Sequence, residues 1–353
     1  MIKENNIIIL EDLDFISKSL ALWEDLRNQS ILITGCSGLL GSYLVKSLLY
    51  ANNVFDLNLK VIGTYRNIDS VNERLIEYLD EPNFKLVLHD IAEPIPNDLP
   101  YADFIIHAAS QASPKYYGID PVGTILANST GTANLLNYAV KNKSKRFLFF
   151  SSGEVYGNPI DPNELIKEDD YGYIDPMNIR SCYAESKRIG ETMCVSWGKQ
   201  YGVHVNVVRP FHTYGPGIAL NDGRVFADFV ANAVEGKDII LKSNGLTKRS
   251  FCYISDATIG FLIVLLSGKD AEAYNIGNPE TEISMKDLAL KIVDLRPDLD
   301  LSVKFDVKNQ GDKYMRSQVL RAYPSIDKVS KIGWKPSIGL REGFSRTIKS
   351  FLV

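Results

Sequence analysis

Short apolar runs recur along the first two thirds of the chain, at Ile31 to Thr34, Val61 to Thr64, Leu86 to Leu88, Phe104 to His107, Phe147 to Phe150 and Val203 to Val208, with helix-like stretches between most of them. Runs that are continuously apolar mark strands covered on both faces, and each parallel crossover needs a helix to return the chain. The pattern predicts an α/β fold built on a doubly wound parallel sheet. Ahead of the first run, residues Glu11 to Asn28 carry Leu13, Ile16, Leu20, Leu22, Trp23 and Leu26 at roughly helical spacing, which predicts an amphipathic lead-in helix. From Pro210 onward the alternation loosens into turn-rich segments, Tyr214 to Gly217 and Asn221 to Gly223, before a final helix near Leu340 to Leu352. The expected division is an N-terminal helical extension over residues 1–29, a sheet body over 30–210, and a smaller C-terminal lobe over 211–353. Strands near Phe251 to Ile254, and the segment 251–270 generally, are expected to rejoin the sheet body.

A chain of 353 residues, 45% hydrophobic, is long for one domain and short for two independent ones, which agrees with one large body and an appended lobe. The formal charge of −4 is spread out, without a basic cluster to follow a phosphate backbone, which argues against a nucleic-acid partner. Cys36, Cys182, Cys194 and Cys252 show neither CxxC pairing nor regular spacing. They suggest no metal site and no disulfide framework, and they fit a reducing cytoplasm. No apolar run approaches the ~20 residues of a membrane span, and the opening Met-Ile-Lys-Glu-Asn-Asn does not read as a signal peptide. The expectation is a cytoplasmic protein without a membrane partner.

The chemistry starts at Ile31-Leu32-Ile33-Thr34-Gly35-Cys36-Ser37-Gly38-Leu39-Leu40-Gly41, where three glycines follow a strand and open an apolar helix. Glycines there let the turn tighten, let backbone approach a pyrophosphate and let the helix pack on the strand, while the helix N-terminus faces the phosphates. This is a dinucleotide-binding arrangement of the Rossmann type, with Gly35, Ser37, Gly38, Leu39, Leu40 and Gly41 as cofactor contacts. Val61-Ile62-Gly63-Thr64-Tyr65-Arg66 brings no acid to the end of the second strand to hold a ribose 2′-hydroxyl. Arg66 is either a contact for a 2′-phosphate or an ordinary solvated arginine, so NAD is expected with NADP left open.

Ser181-Cys182-Tyr183-Ala184-Glu185-Ser186-Lys187 puts a phenol and an amine four residues apart, one turn along a predicted helix face. A nearby ammonium favours the phenolate, so Tyr183 is expected to act as a base below the ~10 of free tyrosine. Phe150-Ser151-Ser152-Gly153-Glu154-Val155-Tyr156-Gly157 ends the fifth strand, and ligands bind at the carboxyl ends of parallel strands.

The GxxGxxG spacing and the Tyr-x-x-x-Lys pair resemble the extended short-chain dehydrogenase/reductases, the epimerase/dehydratase group. Within it the chain is most similar to the UDP-glucuronate decarboxylases from Ser30 to about Pro336. The echoes run in order through His107-Ala108-Ala109-Ser110-Gln111-Ala112-Ser113-Pro114 to Tyr117 and Pro121, then Ser152 to Gly157 and Cys182 to Cys194. They continue with Tyr214-Gly215-Pro216, Asn221 to Val225, Arg249-Ser250-Phe251 and Asn275 to Pro279. The resemblance implies an enzyme that oxidises carbon 4 of a nucleotide-linked sugar, with Tyr183 taking the hydroxyl proton, Lys187 biasing that transfer and holding the cofactor ribose, and Ser152 orienting the hydroxyl. Asp90 and Ile91 resemble the adenine-contacting pair, Asp90 having a helix cap as its plainer reading, and Ala108 falls among the cofactor contacts. Glu154 and Arg249 would handle the carbon 5 and carboxylate end, and Tyr117 would line the sugar pocket. Arg224 is a phosphate or carboxylate contact or else a surface salt bridge. A homodimer paired through two long helices is implied as well.

Three positions depart from the pattern. Gly153 stands where decarboxylases carry Ser and 4,6-dehydratases carry Asp, which counts more against dehydration than against decarboxylation. His212 stands where the family usually has Asn near the nucleotide phosphates, and reads as a core or pocket histidine. The acid after the second strand is missing. A 4-epimerase or 4,6-dehydratase is therefore the second enzyme reading. A non-catalytic dinucleotide sensor is the reading from another class, and it would have no need of the Tyr183, Lys187 and Ser152 set.

Overall fold

The computed structural model describes residues 4–158, 161, 164–306 and 321–353. The part of the expected lobe at 307–320 lies outside the described residues. Six of the strands are β1 (Ser30–Thr34), β2 (Lys60–Tyr65), β3 (Phe84–Leu88), β4 (Phe104–His107), β5 (Arg146–Phe150) and β6 (Val205–Pro210). Among the described residues they form, with the strand Glu272–Ile276, a seven-stranded sheet in the order Glu272–Ile276, β6, β5, β4, β1, β2, β3. Every pairing in it is parallel. The chain is α/β and doubly wound, with small extra sheets in its C-terminal part.

Burial explains the continuous apolar runs. In β1, Ile31 and Ile33 pack into one core with the helix Leu39–Phe55 and the helix Ile254–Ser267, while Leu32 packs into the other with Leu135, Leu136 and Cys194. In β5, Leu148 and Phe150 face the first core, and Phe147 and Phe149 the second. Each such side chain contributes on the order of 1.5–3 kcal/mol when removed from water.

The reversal of strand order lies between β1 and β4, and ligands in folds of this kind bind at the carboxyl ends of the strands beside such a point. Thr34 and His107 tie the two strand ends together: Thr34 Oγ1 lies 2.8 Å from His107 Nδ1 and accepts from Ala109 N at 3.3 Å.

Two expected boundaries are corrected. The lead-in helix runs Ile7–Ser19, because the Asn6 side chain caps it by accepting from Ile8 N and Ile9 N, and the chain turns extended at Leu20 before a 3₁₀ turn at Trp23–Leu26. The strand Phe251–Tyr253 pairs with His212–Tyr214 instead of the main sheet. The segment that follows it supplies the helix Ile254–Ser267, which packs on the sheet, and Glu272–Ile276 is the strand that joins.

The first helix is fastened to the rest through a carboxylate. Asp12 is 1% exposed, and its Oδ2 accepts from the hydroxyls of Tyr43 and Tyr253, each at 2.8 Å, while Oδ1 accepts from Arg346 Nη2 at 2.7 Å. Among the described residues no helix is long and apolar enough to cross a membrane. The four cysteines are free and buried.

Candidate active site

The glycine loop is built from backbone. Gly35 has φ +68°, in the left-handed region, and a Cβ there would sit 2.6 Å from Ala109 Cα, so both the turn and the neighbouring loop demand glycine. A Cβ at Gly41 would lie 2.3 Å from Gly35 O, which is how closely the helix Leu39–Phe55 rides on the loop. Gly38 caps that helix and faces open space apart from Gly35 O, so backbone at Gly38, Leu39 and Leu40 is accessible to a phosphate at the positive end of a 17-residue helix. Arg74 braces the loop, donating to Ser37 O at 3.3 Å and to Gly217 O at 3.1 Å. This cradle fits a dinucleotide pyrophosphate.

Toward the far edge, Arg66 Nη1 donates to Asp90 Oδ2 at 3.3 Å, and both side chains are substantially exposed. Asp90 Oδ1 also accepts from Ala92 N at 3.0 Å, a local bond in a turn where no helix begins, so Asp90 is not a helix cap. Ile91 is buried, and a Cβ at Gly131 would fall 2.8 Å from it. Ala108 is half-buried beside Gly35.

Tyr183 and Lys187 lie on the helix Ser181–Tyr201 and are 6% and 1% exposed. Ser152 faces the Tyr183 phenol, and its Oγ accepts from Glu154 N at 3.2 Å and so starts a 3₁₀ turn at Gly153–Tyr156. Lys187 Nζ donates to Phe150 O at 2.6 Å and lies 5.0 Å from the Phe149 ring centre and 5.8 Å from that of Tyr183. Tyr117 stacks on Tyr183 with ring centres 5.2 Å apart at 17°, its own hydroxyl donating to Ala112 O. The electrostatics correct one expectation. Burial pushes the Tyr183 phenol up to about 12, against the lowering effects of Ser152 and Arg224, and pushes Lys187 down to about 7. Desolvation outweighs the neighbouring charge because both groups are inside the apolar wall.

Glu154 takes two contacts from Arg180 Nη2, each 3.3 Å, and the Arg180 guanidinium lies 5.9 Å from the Tyr117 ring centre. Arg180 was not singled out by the sequence. Its position directly ahead of the helix that carries Tyr183 is the signal that would have found it. Glu154 and Arg180 line a small cavity of about 60 Å³ with Tyr173, Asn178, Ser181 and Ala184.

His212 sits between the Phe226 and Phe251 rings, at 6.2 and 5.7 Å, with Nδ1 buried and unpartnered. Burial first, then the charges of Arg249 and Arg224, hold it well below the usual histidine range, so it is neutral. Arg224 is paired in fork geometry with Asp222, at 2.5 and 3.0 Å, yet its charge still reaches the Tyr183 phenol. Arg249 is buried and donates to Lys248 O at 2.7 Å. The structure thus gathers Tyr183, Lys187, Ser152, Glu154 and Tyr117 into one cluster, with His212, Arg224 and Arg249 grouped beside it and Arg66 and Asp90 at the opposite rim. Among the described residues no cluster of His, Cys, Asp and Glu could hold a metal ion.

A family model described as the NAD dependent epimerase/dehydratase family matches residues 31–277. The chain is 37% identical to UDP-glucuronic acid decarboxylase 3 of Arabidopsis thaliana over 90% of its own length and 87% of that protein's. It is 35% identical to UDP-glucuronic acid decarboxylase 1 of Danio rerio, over 91% and 72%. Two solved structures share the fold. One is a UDP-glucose 4-epimerase from Thermotoga maritima with UDP-glucose, at TM-score 0.75 and 23% identity, covering 92% of this chain and 98% of that one. The other is a UDP-glucuronic acid 4-epimerase mutant from Bacillus cereus with a fluorinated UDP-glucuronic acid and NAD, at TM-score 0.77 and 21% identity, covering 92% and 99%. The chain is an enzyme of the NAD dependent epimerase/dehydratase family.

Proposed function

We infer that the enzyme oxidises the carbon 4 hydroxyl of a nucleotide-linked sugar and decarboxylates a UDP-glucuronate-like substrate. The observation that carries the choice of reaction is the likeness to UDP-glucuronic acid decarboxylases over nine tenths of the chain. Position 153 departs from the decarboxylases, which carry Ser there, but counts more against dehydration, since Gly153 brings no acid to expel a 6-hydroxyl.

The cradle at Gly35, Ser37, Gly38, Leu39, Leu40 and Gly41 would hold NAD, with Ala108, Asp90 and Ile91 toward its adenosine end and Lys187 on its ribose. Bound there, NAD would supply the acceptor for the carbon 4 hydride and the source of its return at the end of the cycle. Tyr183 receives the hydroxyl proton in its ionised form, Ser152 orients that hydroxyl, and the Lys187 ammonium offsets the burial that otherwise keeps the phenol protonated. With carbon 4 a ketone, the carbon 6 carboxylate is β to it. The carbon 5 to carbon 6 bond breaks, carbon dioxide leaves, and the electron pair moves onto the carbon 4 oxygen as an enolate. A proton from water reaches carbon 5 and re-forms the carbon 4 ketone, and Tyr183 returns its proton to the carbon 4 oxygen as the hydride returns to carbon 4. Glu154 belongs at the carbon 5 end with Arg249, and its pairing with Arg180 offsets the repulsion of two carboxylates. Tyr117 lines the sugar site, and His212 and Arg224 face the nucleotide.

Incubation with UDP-glucuronate and NAD, followed by mass spectrometry, is expected to give a product lighter by one carbon dioxide. Loss of water or an unchanged mass with inverted carbon 4 would replace this reading by dehydration or epimerisation. A homodimer is proposed through the packed helices Pro121–Asn128 and Ser181–Tyr201, which leave Val122, Ile125, Leu126, Ile189 and Val195 exposed. Sedimentation at micromolar concentration is expected to give twice the chain mass, and a monomer would overturn it.

A further inference from the structure

Below the cluster lies a polar group that the proposed chemistry does not use. Glu191 follows Lys187 by four residues and Tyr183 by eight, so all three share one helix face. This face grips three consecutive residues at the end of β5. Tyr183 faces Ser152, Lys187 donates to Phe150 O at 2.6 Å, and Glu191 Oε1 accepts from Ser151 Oγ at 2.5 Å.

The carboxylate is itself clamped. Arg209, whose side chain is 4% exposed on β6, donates from Nε to Glu191 Oε1 at 2.8 Å and from Nη2 to Oε2 at 2.6 Å. Arg209 Nη1 donates in turn to Tyr156 OH at 2.9 Å and to Glu168 O at 2.7 Å, and Tyr156 OH donates to Asn275 Oδ1 on the strand Glu272–Ile276. A forked pair of this kind is rigid, and neither partner can leave without stranding a buried charge.

We propose that Glu191 is a positioning residue: it supplies the countercharge to the buried Lys187 ammonium and fixes the end of β5 so that Ser152 meets Tyr183. The proposal rests on the reading of Tyr183 and Lys187 as the proton-handling pair. Burial lowers Lys187 to about 7, and Glu191 is the foremost charge opposing that, ahead of Cys194. Tyr183 and Cys194 on its own helix and His107 from β4 also face the ammonium, and Arg209 stands behind the carboxylate. His107 is neutral, since burial and then the Lys187 charge lower it to about 3.

The test is the titration of Lys187 itself, followed by ¹³C NMR of its ε-carbon and assigned with Lys187→Arg, in the full chain without substrate. Glu191→Gln is expected to lower the midpoint by about one pH unit, and Glu191→Asp to keep it near the wild-type value. Where substrate turns over, the alkaline limb of kcat shifts downward with it and KM stays within about twofold, because Lys187 loses its charge as pH rises through a lower pKa. Ser151→Ala, which leaves the carboxylate in place, is expected to lower kcat several-fold without moving the midpoint. A midpoint unmoved in Glu191→Gln overturns the proposal. If that variant does not fold, wild-type kcat in Ser151→Ala, or a midpoint in Glu191→Asp lowered as far as one unit, overturns it instead. Failure of the wild-type protein to act on any sugar nucleotide would sink the proposed reaction and leave the NMR result standing.

Discussion

The loop after β1 and the turn after β5 stand two strands apart in the sheet, at the same ends of their strands, yet they are made of different material. The first is backbone: Gly35 at φ +68° and Gly41 under its carbonyl leave no room for a Cβ. The second is side chains, with Ser152, Tyr183 and Lys187 held by hydrogen bonds inside a wall of aromatic rings. A site made by omission is rigid and ready before any ligand arrives, and its sensitivity is steric. A site made by burying polar groups stores an electrostatic cost, and its sensitivity is to charge and pH.

Substitutions on the two sides should therefore fail in different ways. Tyr183→Phe has the largest expected effect, a loss of about a thousandfold or more in turnover with NAD affinity unchanged by titration calorimetry. Full activity would remove the assigned role. Gly35→Ala should do the reverse, weakening NAD binding at least about tenfold and lowering stability by roughly 1–3 kcal/mol in denaturant unfolding. An unaffected NAD affinity would mean that the loop can yield.

Lys187→Met measures the stored cost. The ammonium titrates at about 7 in the folded protein and near ~10.4 in the unfolded chain, so between those values the unfolded chain binds the extra proton and stability rises with pH. The variant is expected to melt about 2–5 °C higher than wild type near pH 6–7, with the gain fading by about pH 10. A constant difference across that window would contradict the burial argument. The smallest effect is expected at the rim, where Arg66→Ala changes NAD affinity by less than about threefold, since exposed pairs contribute little. A much larger fall with NADP than with NAD would identify Arg66 as the contact for a 2′-phosphate.

The strands were legible because two-sided burial leaves continuous apolar runs, as in Ile31 to Ile33 and Phe147 to Phe150. Glu272–Ile276 escaped notice because its Asn275 interrupts the run, and that amide is buried in hydrogen bonds to Ile166 O and Ser325 O. The start of the first helix was misjudged because Ile7 to Leu10 is apolar without helical spacing, while the Asn6 cap that decides it is a single residue. At the site, motif spacing pointed to the residues that meet at Ser152 and Tyr183. The long-range partner Arg209 carries no local pattern, and the sign of the Tyr183 shift depends on enclosure, which spacing does not encode.

The knot at Asp12 bears on how the chain is made. Its guanidinium partner, Arg346, is translated 334 residues later. Until then the acid on the inner face of the first helix lacks its cationic partner and has only the Tyr43 and Tyr253 hydroxyls to receive it, so the helix does not seat on the growing sheet at full strength. Seating of the first helix during synthesis is consequently gated by a segment made long after it.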